Sequence, residues 1–136
     1  MSKTEQTLSI IKPDAVERNL IDEIKKIFLS NNLKIKDSKK IHITKDEAAE
    51  FYKVHQSKPF YNNLCSYLSS GPILVMVLEG KNAVALNREL MGATDPKAAG
   101  ENTIRKLYGI SIDKNSVHGS DTLDNAKKEI NFFFQN

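Results

Sequence analysis

Residues 73–78, Ile-Leu-Val-Met-Val-Leu, form an unbroken apolar run bounded upstream by Ser69-Ser70-Gly71-Pro72. A strand with no polar position belongs in the interior of a sheet, so this run predicts the central strand. The other elements are arranged around it.

Thr7 to Ile11 reads as a buried strand, closed by Lys12-Pro13-Asp14, where proline can open a helix but cannot extend a ladder. Lys12 therefore falls at a strand end. Leu20, Ile24, Ile27 and Phe28 recur at helical spacing, and Asn31-Asn32 ends that segment. Leu33, Ile35, Ile41 and Ile43 alternate as in a strand, with a bulge or bend expected at Asp37-Ser38. Thr44-Lys45-Asp46-Glu47 has the spacing of a capping box, and Ala48, Phe51, Tyr52 and His55 follow on one helical face. Phe60 to Leu68 and Asn82 to Met91 read as further helices. Gly92 to Asn102 carries Pro96 and Gly100 without periodicity, a long loop of the kind that holds binding sites. A short strand is expected near Val117. Leu123, Ala126, Ile130, Phe133 and Phe134 share one face of a C-terminal helix.

This order predicts an α+β fold, a ferredoxin-like βαββαβ antiparallel sheet covered by helices on one side, with extra helices and a long loop at about 92–115. At 136 residues, with no linker or repeat, the chain reads as a single domain over 1–136. One cysteine, Cys65, leaves no intrachain disulfide and no Cys-based zinc cluster, which fits a reducing compartment. No apolar run reaches membrane-spanning length, so a soluble, cytoplasmic protein with no membrane partner is expected. The net charge of +3 neither demands nor excludes nucleic acid. Only three of the 20 basic residues are arginine, Arg18, Arg88 and Arg105. Arginine's planar fork suits bidentate contact with phosphate, although an arginine also serves in a surface ion pair.

Asn115-Ser116-Val117-His118-Gly119-Ser120-Asp121 places an imidazole beside a glycine, a hydroxyl and a carboxylate just before the last helix. A helix start offers free N–H groups and positive potential to a phosphoryl group, and glycine removes a side chain where a substrate must come close. Ser-Asp before an amphipathic segment is also an ordinary N-cap, so a reactive histidine and a plain capped turn both fit. Glu129 bears on the choice. At 100° per residue it lies about 60° from Ala126, on the border of the apolar stripe. A carboxylate there is placed to accept an imidazole N–H and fix which ring nitrogen stays free; an exposed glutamate beside a core face fits the same angle.

With these residues in view, the chain resembles the nucleoside diphosphate kinases from about Thr7 to Phe134. The family's Asn-x-x-His-Gly-Ser-Asp signature stands unbroken at Asn115 to Asp121. Ile11-Lys12-Pro13-Asp14, Tyr52, Pro59-Phe60, Ser70-Gly71-Pro72, Arg88, Met91 to Pro96, Thr103-Ile104-Arg105 and Glu129 follow the family order. The resemblance implies ping-pong transfer of a γ-phosphoryl group from a nucleoside triphosphate, typically ATP, to a nucleoside diphosphate, maintaining NTP and dNTP pools. It makes His118 the nucleophile, with Glu129 and Ser120 holding the imidazole. Lys12, Tyr52, Arg88, Thr94 and Arg105 become the phosphate grips, Lys12 and Asn115 contact the sugar, and Phe60 stacks on the base. Mg²⁺ is expected to arrive on the nucleotide phosphates with few or no protein ligands. A homo-oligomer, tetramer or hexamer, is implied as well.

Phosphoryl transfer needs positioning and positive charge more than covalent machinery, and stacking accepts any base because every base has a π-face. The chain departs from the usual family pattern at Asn102, Leu107 and Asp22, and it ends at Asn136 without the longer C-terminal segment of many relatives. These departures bear on loop conformation and subunit contacts. Asparagine tolerates positive φ better than most residues, so a turn at Asn102 is expected to survive. An alternative from another class is a non-catalytic nucleic-acid-binding or scaffold protein on the same fold, using its lysines. No aromatic-rich RNA platform motif accompanies them.

Overall fold

The computed structural model describes residues 4–53, 56–112 and 114–134. Its elements run β1 (Thr4–Ile11), α1 (Pro13–Glu17), α2 (Ile21–Ser30), β2 (Lys34–Ile41), α3 (Lys45–Phe51), α4 (Tyr61–Leu68), β3 (Ile73–Lys81), α5 (Ala83–Met91), α6 (Ile104–Tyr108), β4 (Val117–Gly119) and α7 (Leu123–Phe134). The strands lie in the order β2-β3-β1-β4, all pairings antiparallel, as the ferredoxin-like reading requires. The apolar run forms the interior of β3, with β1 on one side and β2 on the other.

Helices cover both faces of the sheet, not one. Alternation along β3 sends Leu74, Met76 and Leu78 to one side, where they pack with Ile24, Phe28, Ala83 and Met91 of α2 and α5. Ile73 and Val75 point to the other side, where they pack with Ala48, Cys65, Leu68 and Phe133 of α3, α4 and α7. The expected one-sided cover accounted for the two crossover helices of a ferredoxin-like unit; the extra helices cover the second face. Each fully buried Phe, Leu or Ile contributes roughly 1.5–3 kcal/mol, so the two clusters together anchor every helix that reaches the site.

Local signals fare well where they are chemical. Thr44 Oγ accepts from the Glu47 N–H at 3.1 Å, and Glu47 Oε1 accepts from the Thr44 N–H at 2.8 Å, so the capping box is formed. The bulge in β2 falls between Ile35 and Asp37, one residue earlier than the Asp37-Ser38 interruption suggests. Asn102 adopts φ of 69°, as its tolerance of that region allows. His55 lies outside the described residues. The segment 92–115 is not all loop: Thr103 caps the short helix α6, its Oγ accepting from the Lys106 N–H. Among the described residues no helix is long and apolar enough to cross a membrane.

The capping box can be tested alone, since it lies on the surface and away from the sheet. Thr44→Ala is expected to cost about 1 kcal/mol, read as a lower Tm in thermal unfolding with the circular-dichroism spectrum unchanged.

Candidate active site

Three chain segments meet at the end of β1. The strand stops at Ile11, and Pro13 opens α1, leaving Lys12 as the N-cap residue between them. Its backbone N–H donates to the Ser116 carbonyl at 2.8 Å, joining the β1 end to the segment that leads into β4. The Lys12 side chain is buried, and its Nζ donates to Asn115 Oδ1 at 2.9 Å. Asn115 Nδ2 in turn donates to the Thr94 carbonyl at 3.0 Å, which fixes the start of the long loop against the same corner.

His118 is on β4, opposite Ile10, and not at a helix N-terminus. The helix α7 begins at Leu123, and its first turn is capped by Thr122, whose Oγ accepts from the Asn125 N–H. Of the two roles open to Ser120, capping is therefore taken by Thr122. Fully buried, Ser120 accepts from the Leu8 N–H at 3.3 Å and donates to Glu129 Oε1 at 2.9 Å. The same Glu129 oxygen lies 3.0 Å from His118 Nε2. A carboxylate only accepts, so Nε2 carries the proton in this pair and Nδ1 keeps its lone pair. The wheel position of Glu129 at the stripe border thus puts its carboxylate between helix and strand.

The imidazole is also held from the side. Phe51 meets it edge-on with centroids 5.3 Å apart, and Tyr52 does so at 6.4 Å. Both sit at the end of α3, where the periodicity reads simply as core, so sequence reasoning missed Phe51. Gly119 leaves room behind the histidine. A Cβ there would come within 2.7 Å of Met91 Cε and would also run into the Asn87 amide. Glycine is needed for close packing of α5 on β4, in addition to any access it gives a substrate.

His118, Glu129, Lys12, Tyr52, Phe60, Arg88, Thr94, Arg105 and Asn115 line one cavity of about 760 Å³. Of the catalytic and binding residues expected from sequence, Ser120 alone lies behind the wall. That volume suits a small-molecule ligand. Lys53, Lys128, Ile112, Asn125 and Phe132 also line it. Ile112, from an aperiodic loop, left no sequence signal.

Arg105 is fixed by two backbone acceptors, Nη1 donating to the Gly92 carbonyl at 3.0 Å and Nη2 to the Val117 carbonyl at 2.9 Å. Gly92 presents that carbonyl by turning at φ of 86°, where a side chain would strike Thr103. Burial and the neighbouring Arg88 lower the Arg105 pKa to about 10, so it remains a cation at neutral pH. Burial, then the Glu129 charge, push the Tyr52 phenol above its ordinary value and keep it an O–H donor. The hydrogen bond from the Asn125 amide holds the Asp121 carboxyl below the usual carboxylate range. Lys12, Lys53, Arg88, Arg105 and Lys128 outnumber Glu50, Asp121 and Glu129 around the cavity, a balance that favours an anionic ligand. Arg18, the third arginine, is not at the cavity but pairs with Asp14 at 3.0 Å.

A family model for nucleoside diphosphate kinase matches residues 5–136. The chain belongs to the nucleoside diphosphate kinase family. A nucleoside diphosphate kinase of a Nitratiruptor species is 60% identical over 130 residues, covering 96% of this chain and 95% of the relative. One from Campylobacter curvus is 57% identical over the same share of each. Among solved structures, the Aquifex aeolicus nucleoside diphosphate kinase superposes with a TM-score of 0.96 at 39% identity, covering 98% of this chain and 97% of that one. The Encephalitozoon cuniculi kinase superposes with a TM-score of 0.94, also at 39% identity, over 97% and 90% of the two chains. The family match runs from Glu5 in β1 through α7.

The tautomer assignment has a direct readout. In ¹⁵N NMR of histidine-labelled protein at neutral pH, His118 is expected to show the Nε2–H form, and Glu129→Ala is expected to raise the Nδ1–H population. An unchanged tautomer ratio in the variant would show that the carboxylate does not set it.

Proposed function

We propose that this member of the nucleoside diphosphate kinase family moves a γ-phosphoryl group from a nucleoside triphosphate to a nucleoside diphosphate, with His118 carrying it in between. The supporting observation is the Nε2–Glu129 hydrogen bond of 3.0 Å on an imidazole that lines a cavity rich in cations. In the first half-reaction the Nδ1 lone pair attacks the γ-phosphorus, the bond to the β,γ-bridging oxygen breaks, and the diphosphate leaves with that electron pair. The imidazole becomes N-phosphorylated and cationic. Glu129, already accepting from Nε2, stabilises that charge, and Ser120 holds Glu129 in place. In the second half-reaction a terminal oxygen of another diphosphate attacks the same phosphorus, and Nδ1 recovers its electrons.

Lys12, Arg88 and Arg105 supply the positive charge that phosphoryl transfer requires, and Tyr52 and Thr94 add hydroxyls. The Lys12–Asn115 pair is assigned to the sugar hydroxyls, and the exposed ring of Phe60 to the base. Among the described residues no three His, Cys, Asp or Glu gather as a metal site. Mg²⁺, which neutralises phosphate charge when bound, would be held chiefly by the nucleotide's own phosphates. The enzyme would act in the cytoplasm as a homo-oligomer, tetramer or hexamer.

Incubation with γ-labelled ATP and Mg²⁺, followed by removal of nucleotide, is expected to leave acid-labile phosphate on His118. Folded wild-type protein that acquires none would refute the mechanism. His118→Ala is expected to lower turnover by roughly 10⁴-fold or more while the fold persists. Phe60→Ala is expected to raise KM by roughly tenfold for purine and pyrimidine diphosphates alike, the size expected for one lost stacking contact; a loss confined to one base would contradict stacking as the mode of recognition.

A further inference from the structure

Ser116, between Asn115 and the strand that carries His118, has φ of 76°. The Val117 N–H donates to the Asn115 carbonyl at 2.9 Å, so Ser116 is the central residue of a positive-φ γ-turn, a rare and strained conformation for anything but glycine. Among the described residues, the other four that have positive φ and are not glycine, Asn19, Asn32, Asn82 and Asn102, are all asparagine, the residue that tolerates this region best. Ser116 lacks that tolerance. Something else must hold it.

That hold comes from behind the cavity. Ser116 Oγ donates to Asp14 Oδ2 at 3.1 Å. The same buried carboxylate accepts from Arg18 Nη2 at 3.0 Å and from the Tyr67 hydroxyl, which itself accepts from the Asp14 N–H at 2.8 Å. Arg18 Nη2 reaches on to the Tyr108 carbonyl at 2.6 Å. Asp14 is thereby fixed from α1, α4 and the end of α6 together, and none of Asp14, Arg18, Tyr67 and Ser116 lines the cavity. On the other side of the turn, Asn115 accepts from Lys12, and the Ser116 carbonyl accepts from the Lys12 N–H. If the turn relaxed to negative φ, Asn115 would swing and the Lys12–Asn115 pair would separate.

We propose that Asp14, braced by Tyr67 and Arg18, is a positioning residue that holds the strained Ser116 turn through the serine hydroxyl, and so sets where Lys12 and Asn115 meet the sugar of the nucleotide. This rests on the assignment of Lys12 and Asn115 to the sugar made above. The bracing shares no residue with the His118–Glu129–Ser120 chain.

Ser116→Ala and Ser116→Gly divide strain from simple packing, because both lose the hydroxyl but only glycine takes positive φ without cost. Each is compared with wild type using ATP and 2′,3′-dideoxy-ATP as donors. Ser116→Ala is expected to lose roughly tenfold in kcat/KM with ATP, to change by less than about twofold with the dideoxy donor, and to regain most of the loss as Ser116→Gly. Equal losses on both donors, no loss on ATP, or a glycine variant as impaired as alanine would each overturn the proposal. Where Ser116→Ala does not fold, Tyr67→Phe tests the brace with the same two donors and the same criteria. Wild type that transfers phosphoryl equally well from both donors would refute the sugar assignment itself. Wild type that transfers from neither would refute the proposed function.

Discussion

A single carboxylate oxygen joins the parts of this molecule that matter most to its site. Glu129 Oε1 receives the Nε2–H of His118 and the hydroxyl of Ser120, and Ser120 accepts from the backbone of Leu8. One acceptor therefore ties α7 to β4 and, through Ser120, to β1. It is half-buried, at 19% side-chain exposure against 21% for the histidine, so its hydrogen bonds are shielded without the full desolvation cost of a buried charge. The aromatic groups around it, Phe51, Tyr52 and Phe133, belong to the same packed cluster that holds α3 and α7 on the sheet. Core and site are continuous there.

Family membership accounts for why so many separate segments converge, and the local chemistry accounts for how. Lys12 is placed by a strand that proline ends. Arg105 is placed by two carbonyls, one presented by a glycine turn and one by the strand that bears the histidine. The Asn115 amide and those two carbonyls, all neutral acceptors, position both cations at the cavity wall. Arg18 shows the contrast, since Asp14 takes up its charge in a structural pair.

Much of this was legible in the sequence because it is local. The apolar run of β3, the capping box at Thr44 and the stripe of α7 are patterns within one turn or one strand, and the structure contains all three. The signature around His118 carried the site. What the sequence left obscure depends on contacts between distant segments. The helix α6 has five residues, too few for a period to register. Phe51 falls on the same stripe as Ala48 and Tyr52, so nothing in the pattern separates a core ring from one that also touches the imidazole. The Ser-Asp pair fits a cap and a catalytic turn alike, and the pattern alone does not choose; Thr122 takes the cap, and Ser120 holds Glu129, as the family resemblance implied. The second helical layer was missed because a βαββαβ outline accounts for two helices only.

The placement of β3 has a consequence for how the molecule opens. Its interior residues are buried on both faces and hydrogen-bonded to a strand on each edge. Their amides can meet solvent only when the two-layered core separates, so Val75 to Leu78 belong to the slowest class in hydrogen–deuterium exchange. The segment from Gly92 to Lys114 lies outside the sheet; its described residues form only the short helix α6, anchored in the core by Ile104, and present several exposed side chains, Leu107, Ile110 and Ile112 among them. Excursions of one wall of the cavity can therefore occur without unfolding the strand that supports the other, and ligand entry need not draw on the stability of the whole domain.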